Sequence, residues 1–222
     1  MGLDWRPLNK PHQGSEKEYG EIFEILSGRK KPDVSLIDKL FGKQKSQEDI
    51  LKRFLEISSP AYETLKAPRV GKDEKANDWA KKQFENRSDK SLTLENFVKQ
   101  MDGFYVLDLV PECDGMPVYI AIHDEAHVFR AQFLKDCEEI IGEEMMGEAY
   151  TSQLAGQALD FGERLFSLAE KYAIENNCLF LKDQKSPTGD EGSPESKAHI
   201  LFSASKWLIF WGKRGHGYEA SF

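Results

Sequence analysis

The string His123-Asp124-Glu125-Ala126-His127 holds the residue types in this chain best suited to chemistry. Two histidines four apart share one face of a helix. His123 and His127, with Asp124, would then form a metal set for a hydrolase that activates water on a divalent ion. The zinc-protease pattern requires Glu directly after the first histidine, and that place here holds Asp124, one methylene shorter. The competing expectation is structural: Asp124 caps a helix, Glu125 favours its positive end, and both histidines face solvent. A small metal-dependent hydrolase using His123 and His127 is therefore the alternative to a binding role.

Asp124 to His127 also spell the acidic box with which nucleotide motors hold magnesium. A motor needs a glycine-rich loop ending in Gly-Lys-Ser or Gly-Lys-Thr. Gly42-Lys43-Gln44 and Gly71-Lys72-Asp73 both lack the hydroxyl, which removes that reading. Cys113 lies between Glu112 and Asp114, two carboxylates that disfavour the thiolate a nucleophile would require. A nucleophile elbow, a paired-carboxylate signature, a calcium loop and a dinucleotide fingerprint are all missing, and no cofactor is expected.

Binding chemistry has more to offer. Arg69, in Ala67-Pro68-Arg69-Val70-Gly71, and Arg130 each present a planar guanidinium suited to a carboxylate or phosphate. The simpler expectation is that both neutralise the acidic C-terminal half. Lys213-Arg214-Gly215-His216-Gly217 reads as a basic, glycine-flanked loop that could meet an anion, with His216 at its centre.

The elements that must position these groups follow from composition and periodicity. The chain has 222 residues, 40% of them apolar, with 30 basic against 38 acidic residues and a net charge of −8. That is enough to bury a core and too acidic for sequence-independent nucleic-acid binding. The asymmetry is sharp: residues 1–103 carry 20 basic and 18 acidic residues, whereas 104–222 carry 10 and 20. Three widely spaced cysteines support neither a disulfide framework nor a thiolate zinc site. The first residues, Met1-Gly2-Leu3-Asp4-Trp5-Arg6-Pro7, lack an apolar signal core, and no apolar run reaches membrane-spanning length. A cytoplasmic protein without a membrane partner is expected.

Helical spacing predicts a series of short N-terminal helices. Ser15 and Glu18 suggest a capping box ahead of Tyr19, Ile22, Phe23 and Leu26. A second piece spans Val34 to Phe41, and a third, begun by Ser46, puts Ile50, Leu51, Phe54 and Leu55 on one stripe. Ala76 to Phe84 and Leu94 to Met101 follow, the latter behind Thr93. The β-rich run Phe104 to Val110 and the run Val118 to Ile122 predict an antiparallel hairpin around Asp114-Gly115. Helix resumes after Asp124. A long helix from Glu144 to Asn176 carries Leu154, Ala158, Phe161, Leu165, Leu168 and Tyr172 as a seam. Cys178 to Leu181 suggests a short strand, Ser193-Pro194 a helix start, and Tyr218 to Phe222 a terminal strand.

The expected fold is α+β and predominantly helical: several short N-terminal helices, a small central antiparallel β-hairpin sheet and two long C-terminal helices. A single domain over 1–222 is expected, divisible into a helical part, 1–103, and a hairpin-plus-acidic-helix part, 104–222. The expected function is a non-enzymatic binding or protein-interaction domain, acting through the acidic half or the loop after Asp183. Its partner would be an unidentified protein, a small anionic ligand or, through the seam, a second copy in a homodimer.

Overall fold

The computed structural model describes residues 2–30, 46–89, 91–113, 128–185 and 189–222. In chain order the elements are β1 (Asp4–Pro7), β2 (Lys10–Pro11), α1 (Glu16–Leu26), α2 (Gln47–Glu56), β3 (Ser58–Ser59), α3 (Ala61–Thr64), α4 (Glu74–Asn86) and α5 (Leu94–Gln100). Three 3-10 turns follow, at Leu107–Leu109, Pro111–Cys113 and Ala131–Cys137. Then come α6 (Glu138–Ala149), α7 (Ala155–Glu175), a 3-10 turn at Leu179–Asp183, α8 (Pro194–Lys213) and β4 (Tyr218–Ser221). The fold is α+β and predominantly helical, as its sequence implies.

Helix α8 is the centre of the core. Ser193 caps it by accepting from the Ser196 amide at 3.1 Å, and Pro194 fills the first helical position. Its residues Leu201, Phe202, Trp207, Leu208 and Trp211 are all buried, so its apolar surface wraps the helix rather than forming one stripe. Helix α7 covers one side. Ala158, Phe161 and Leu165 of the expected seam are buried there together with Ala169 and Ala173. Leu154, Leu168 and Tyr172 of the same seam are half-buried.

Two glycines set how closely α7 and α8 approach. A Cβ on Gly212 would lie 2.9–3.0 Å from Leu159, backbone included, and one on Gly162 would lie 2.8 Å from Leu208. Gly212→Ala is therefore expected to lower stability by about 1–3 kcal/mol, although alanine is the better helix former by about 1 kcal/mol. Urea midpoints decide the point, because a rise would show that the helices are not packed at glycine distance.

The described strands pair across long stretches of sequence. β1 pairs antiparallel with β4, Asp4 opposite Ser221 and Pro7 opposite Tyr218, so the two ends of the chain are stitched together. β2 pairs with β3 in a second two-stranded piece. Tyr218 to Ser221 is the terminal strand that the sequence suggests. The β-rich run from Phe104 bonds to the Pro68–Val70 segment. Val70 donates to Phe104 O at 2.9 Å and Val106 to Pro68 O at 2.8 Å, after which Leu107–Leu109 closes a 3-10 turn. The proposed second strand, Val118 to Ile122, lies outside the described residues.

Other expectations are corrected. Glu18 does not close a capping box with Ser15; its carboxylate is taken bidentately by Arg53 of α2, at 2.7 and 2.9 Å. A capping box forms instead at Ser46 with Asp49. The helix expected from Glu144 to Asn176 is interrupted between α6 and α7, because Gln153 exchanges two backbone hydrogen bonds with Tyr218, at 2.9 and 2.8 Å. Cys178 to Leu181 leads into a 3-10 turn, not a strand. Val34 to Phe41 lies outside the described residues.

Candidate functional site

Helices α1 and α2 lie against each other through a small core of Tyr19, Ile22, Phe23, Ile50, Phe54 and Ile57. Stacking of Tyr19 on Phe54, with ring centroids 4.3 Å apart, and the Glu18–Arg53 pair hold one side of this junction. Among the described residues the other side is open. A cleft of about 670 Å³ runs between the two helices and the Pro7–Asn9 segment, floored by Leu8, Phe23, Leu26, Leu51, Phe54 and Leu55. Glu48 and Glu219 stand at its lip.

The α2 stripe explains why the cleft is apolar. At about 100° per residue, Ile50, Phe54, Leu51 and Leu55 span an arc of about 140°. Helix α1 covers only the Ile50–Phe54 part of it. Leu51 and Leu55, on the same stripe, remain 47% and 53% exposed. Their signal in the sequence is that width, since two adjacent apolar pairs are more than one packed neighbour can cover.

The wall of the cleft is fixed from behind. Tyr19 Oη donates to Asn9 O at 2.5 Å, and Leu8 N–H donates to Gly217 O at 2.9 Å. His216 completes the clasp, its Nδ1–H donating to Leu8 O at 2.8 Å. The imidazole is fully buried, edge-on to Trp211 with centroids 5.4 Å apart, and its Nε2 has no hydrogen-bond partner among the described residues. Burial holds His216 below the ordinary histidine range; the Leu8 carbonyl works the other way, and nearby Lys10 and Arg214 add to the lowering. His199, also buried, is lowered chiefly by desolvation.

A pH dependence follows with a definite sign. In the unfolded chain both imidazoles take a proton near pH 6.5, whereas in the fold they take it only at lower pH. Stability should be full above about pH 6.5 and fall as the pH drops from there towards the folded values. His216→Asn, whose amide can still donate to Leu8 O, is expected to flatten part of that fall, with His199 supplying the remainder. Urea midpoints between about pH 7.5 and 5 measure it; an unchanged slope in His216→Asn would exclude His216 as a contributor.

Of the residues singled out by sequence, the described ones, Arg69, Arg130 and His216, lie in separate places. Arg69 lies on the Pro68–Gly71 segment, its guanidinium over the Tyr105 ring at 4.6 Å, with no ion pair among the described residues. Arg130 faces Asp4 at 3.5 Å, so its partner is an N-terminal carboxylate and not the acidic C-terminal half. His216 is a buried clasp and not the centre of an exposed anion loop. Beside it Arg214 donates to Phe210 O at 3.0 Å and lies over the Phe210 ring. His123, Asp124 and His127 lie outside the described residues. Among the described residues no three His, Cys, Asp or Glu side chains gather as a metal set, and no helix is long and apolar enough to cross a membrane. Comparison of the chain with protein-family models, with curated proteins and with solved structures finds no match.

Proposed function

We propose that the protein is a non-enzymatic interaction module whose site is the cleft between α1 and α2. The occupant is an amphipathic helix of a partner protein that carries Lys or Arg beside its apolar anchors. The observation that carries this reading is the pair Leu51 and Leu55, half-exposed leucines one turn apart in an apolar cleft of about 670 Å³. The volume falls within the roughly 300–1,000 Å³ of ligand sites, and a helix laid in a groove is a recurrent mode of peptide recognition. Charge selects the partner: Glu48 and Glu219 at the lip attract basic flanks and disfavour acidic ones.

A labelled peptide of about 18 residues, long enough to form helix on binding, tests the reading. It carries leucines at i, i+3, i+4 and i+7 and lysines at the helix positions flanking that apolar face. Fluorescence anisotropy should show saturable binding in the micromolar range. Leu51→Ser with Leu55→Ser should weaken it by about tenfold or more, and Glu48→Lys with Glu219→Lys should weaken it and reduce its salt dependence. No saturable binding to the wild-type chain would overturn the proposal. Sedimentation covers a homodimer: a mass that rises with concentration and is lost in Leu51→Ser would make a second copy the occupant.

A further inference from the structure

Away from the cleft, Arg69 is held in a way that packing alone does not require. The segments 68–71 and 103–106 are cross-linked by three backbone hydrogen bonds: Gly103 to Val70 O at 2.8 Å, Val70 to Phe104 O at 2.9 Å and Val106 to Pro68 O at 2.8 Å. Asp73 accepts from the Arg69 amide at 2.7 Å, and Asn77 Oδ1 accepts from the Gly71 amide at 2.7 Å. Gly71, at φ 82°, turns the chain where the Asp102 side chain fills the space a Cβ would need. A short turn is thus fastened from four directions.

What that frame presents is one guanidinium. Its Cζ lies over the Tyr105 ring, 4.6 Å from the centroid, and Tyr105 stacks on Tyr62 of α3 at 3.8 Å with an 18° interplanar angle. A guanidinium over an aromatic ring keeps its N–H donors at the edge, and with Nε buried it is the two Nη groups that can meet a ligand. Neither Asp73 nor Asp102, the carboxylates of the same frame, pairs with it. In a chain with 38 acidic residues, Arg69 forms no ion pair among the described residues, and its Nε is buried without a hydrogen-bond partner. A buried N–H left unpaired is costly. Lys66 and Lys72, both exposed, raise the positive potential around the same turn.

We infer that Arg69, oriented by Tyr105 and Tyr62, is the recognition residue of an oxyanion site that takes a carboxylate or phosphate group edge-on. This rests on different residues from the cleft and stands independently of it. The same planar fork reads both anions bidentately, so the experiment must separate them.

Amide spectra of ¹⁵N-labelled protein are recorded during titration with inorganic phosphate and, separately, with succinate, at constant ionic strength. At least one anion should give saturable shifts at Val70, Gly71 and Gly103. Response to phosphate alone assigns a phosphorylated ligand, to succinate alone a carboxylate ligand, and to both the shared chemistry. Arg69→Gln should abolish the shifts, and Arg69→Lys, which keeps the charge but loses the planar fork, should weaken binding by about tenfold. If Arg69→Gln does not fold, Arg69→Lys carries the decision. Shifts that fail to saturate with either anion, or that persist unchanged in the variants, would overturn the inference.

Discussion

Trp5→Ala is expected to cost about 4 kcal/mol, a large share of the roughly 5–15 kcal/mol by which a domain is stable. The ring is fully buried and touches aromatic partners from four other segments of the chain: Phe129 at 5.4 Å, Phe161 at 6.0 Å, Trp207 at 5.9 Å and Tyr218 at 5.0 Å. Its Nε1–H donates to Ala149 O at 2.8 Å. Its backbone exchanges hydrogen bonds with Phe129 at 2.8 and 2.9 Å, while β1 pairs with β4 beyond. Truncation opens a cavity among four rings and strips a buried carbonyl of its partner, two penalties that add. Trp5→Phe separates them: it fills most of the space and should cost only about 1–2 kcal/mol, with the lost hydrogen bond as one component. Urea unfolding of both variants measures the difference. A Trp5→Ala midpoint near wild type would show that the N-terminal strand lies on the core without belonging to it.

That role was not legible in the sequence, for a physical reason. Trp5-Arg6-Pro7 has neither a period of two nor a helical period, and its partner strand begins at Tyr218, at the other end of the chain. Pairing at such separation leaves no local pattern. Elements that satisfy themselves locally were legible: Thr93 and Ser193 cap α5 and α8 as their positions suggest, because the cap and its amide lie three residues apart. Phe104 to Val110 shows the intermediate case. Its β character is real and is used at Phe104 and Val106, but the partner is Pro68–Val70, which carries no strand pattern.

The candidate site divides in the same way. The placing of Arg69 in a turn could be read from Pro68 and Gly71 around it. The aromatic stack beneath it could not, since Tyr62 and Tyr105 come from separate elements. For the cleft, the sequence holds the apolar stripe of α2 but not its division between core and opening, which depends on how much of the arc α1 covers.

Leu165 and Leu51 turn that division into a second large contrast, because both are leucines on apolar helical stripes and only one is enclosed. Leu165 is fully buried among the α7 and α8 side chains. Leu165→Asp should cost about 3–5 kcal/mol, since the carboxylate must either enter an apolar interior unpaired or force the helices apart. Leu51→Asp places the same charge on a half-exposed wall, where it keeps its water, and should change stability by less than about 1 kcal/mol. Its effect belongs to binding: beside Glu48 and Glu219 it removes an apolar anchor, and the lysine-bearing peptide should lose affinity despite the added attraction, because the anchors provide the buried area. Urea midpoints and peptide anisotropy on the two variants separate the roles. A several-kcal/mol loss in Leu51→Asp would make the cleft part of the core, and a near-native Leu165→Asp would mean that α7 and α8 are not packed through this seam.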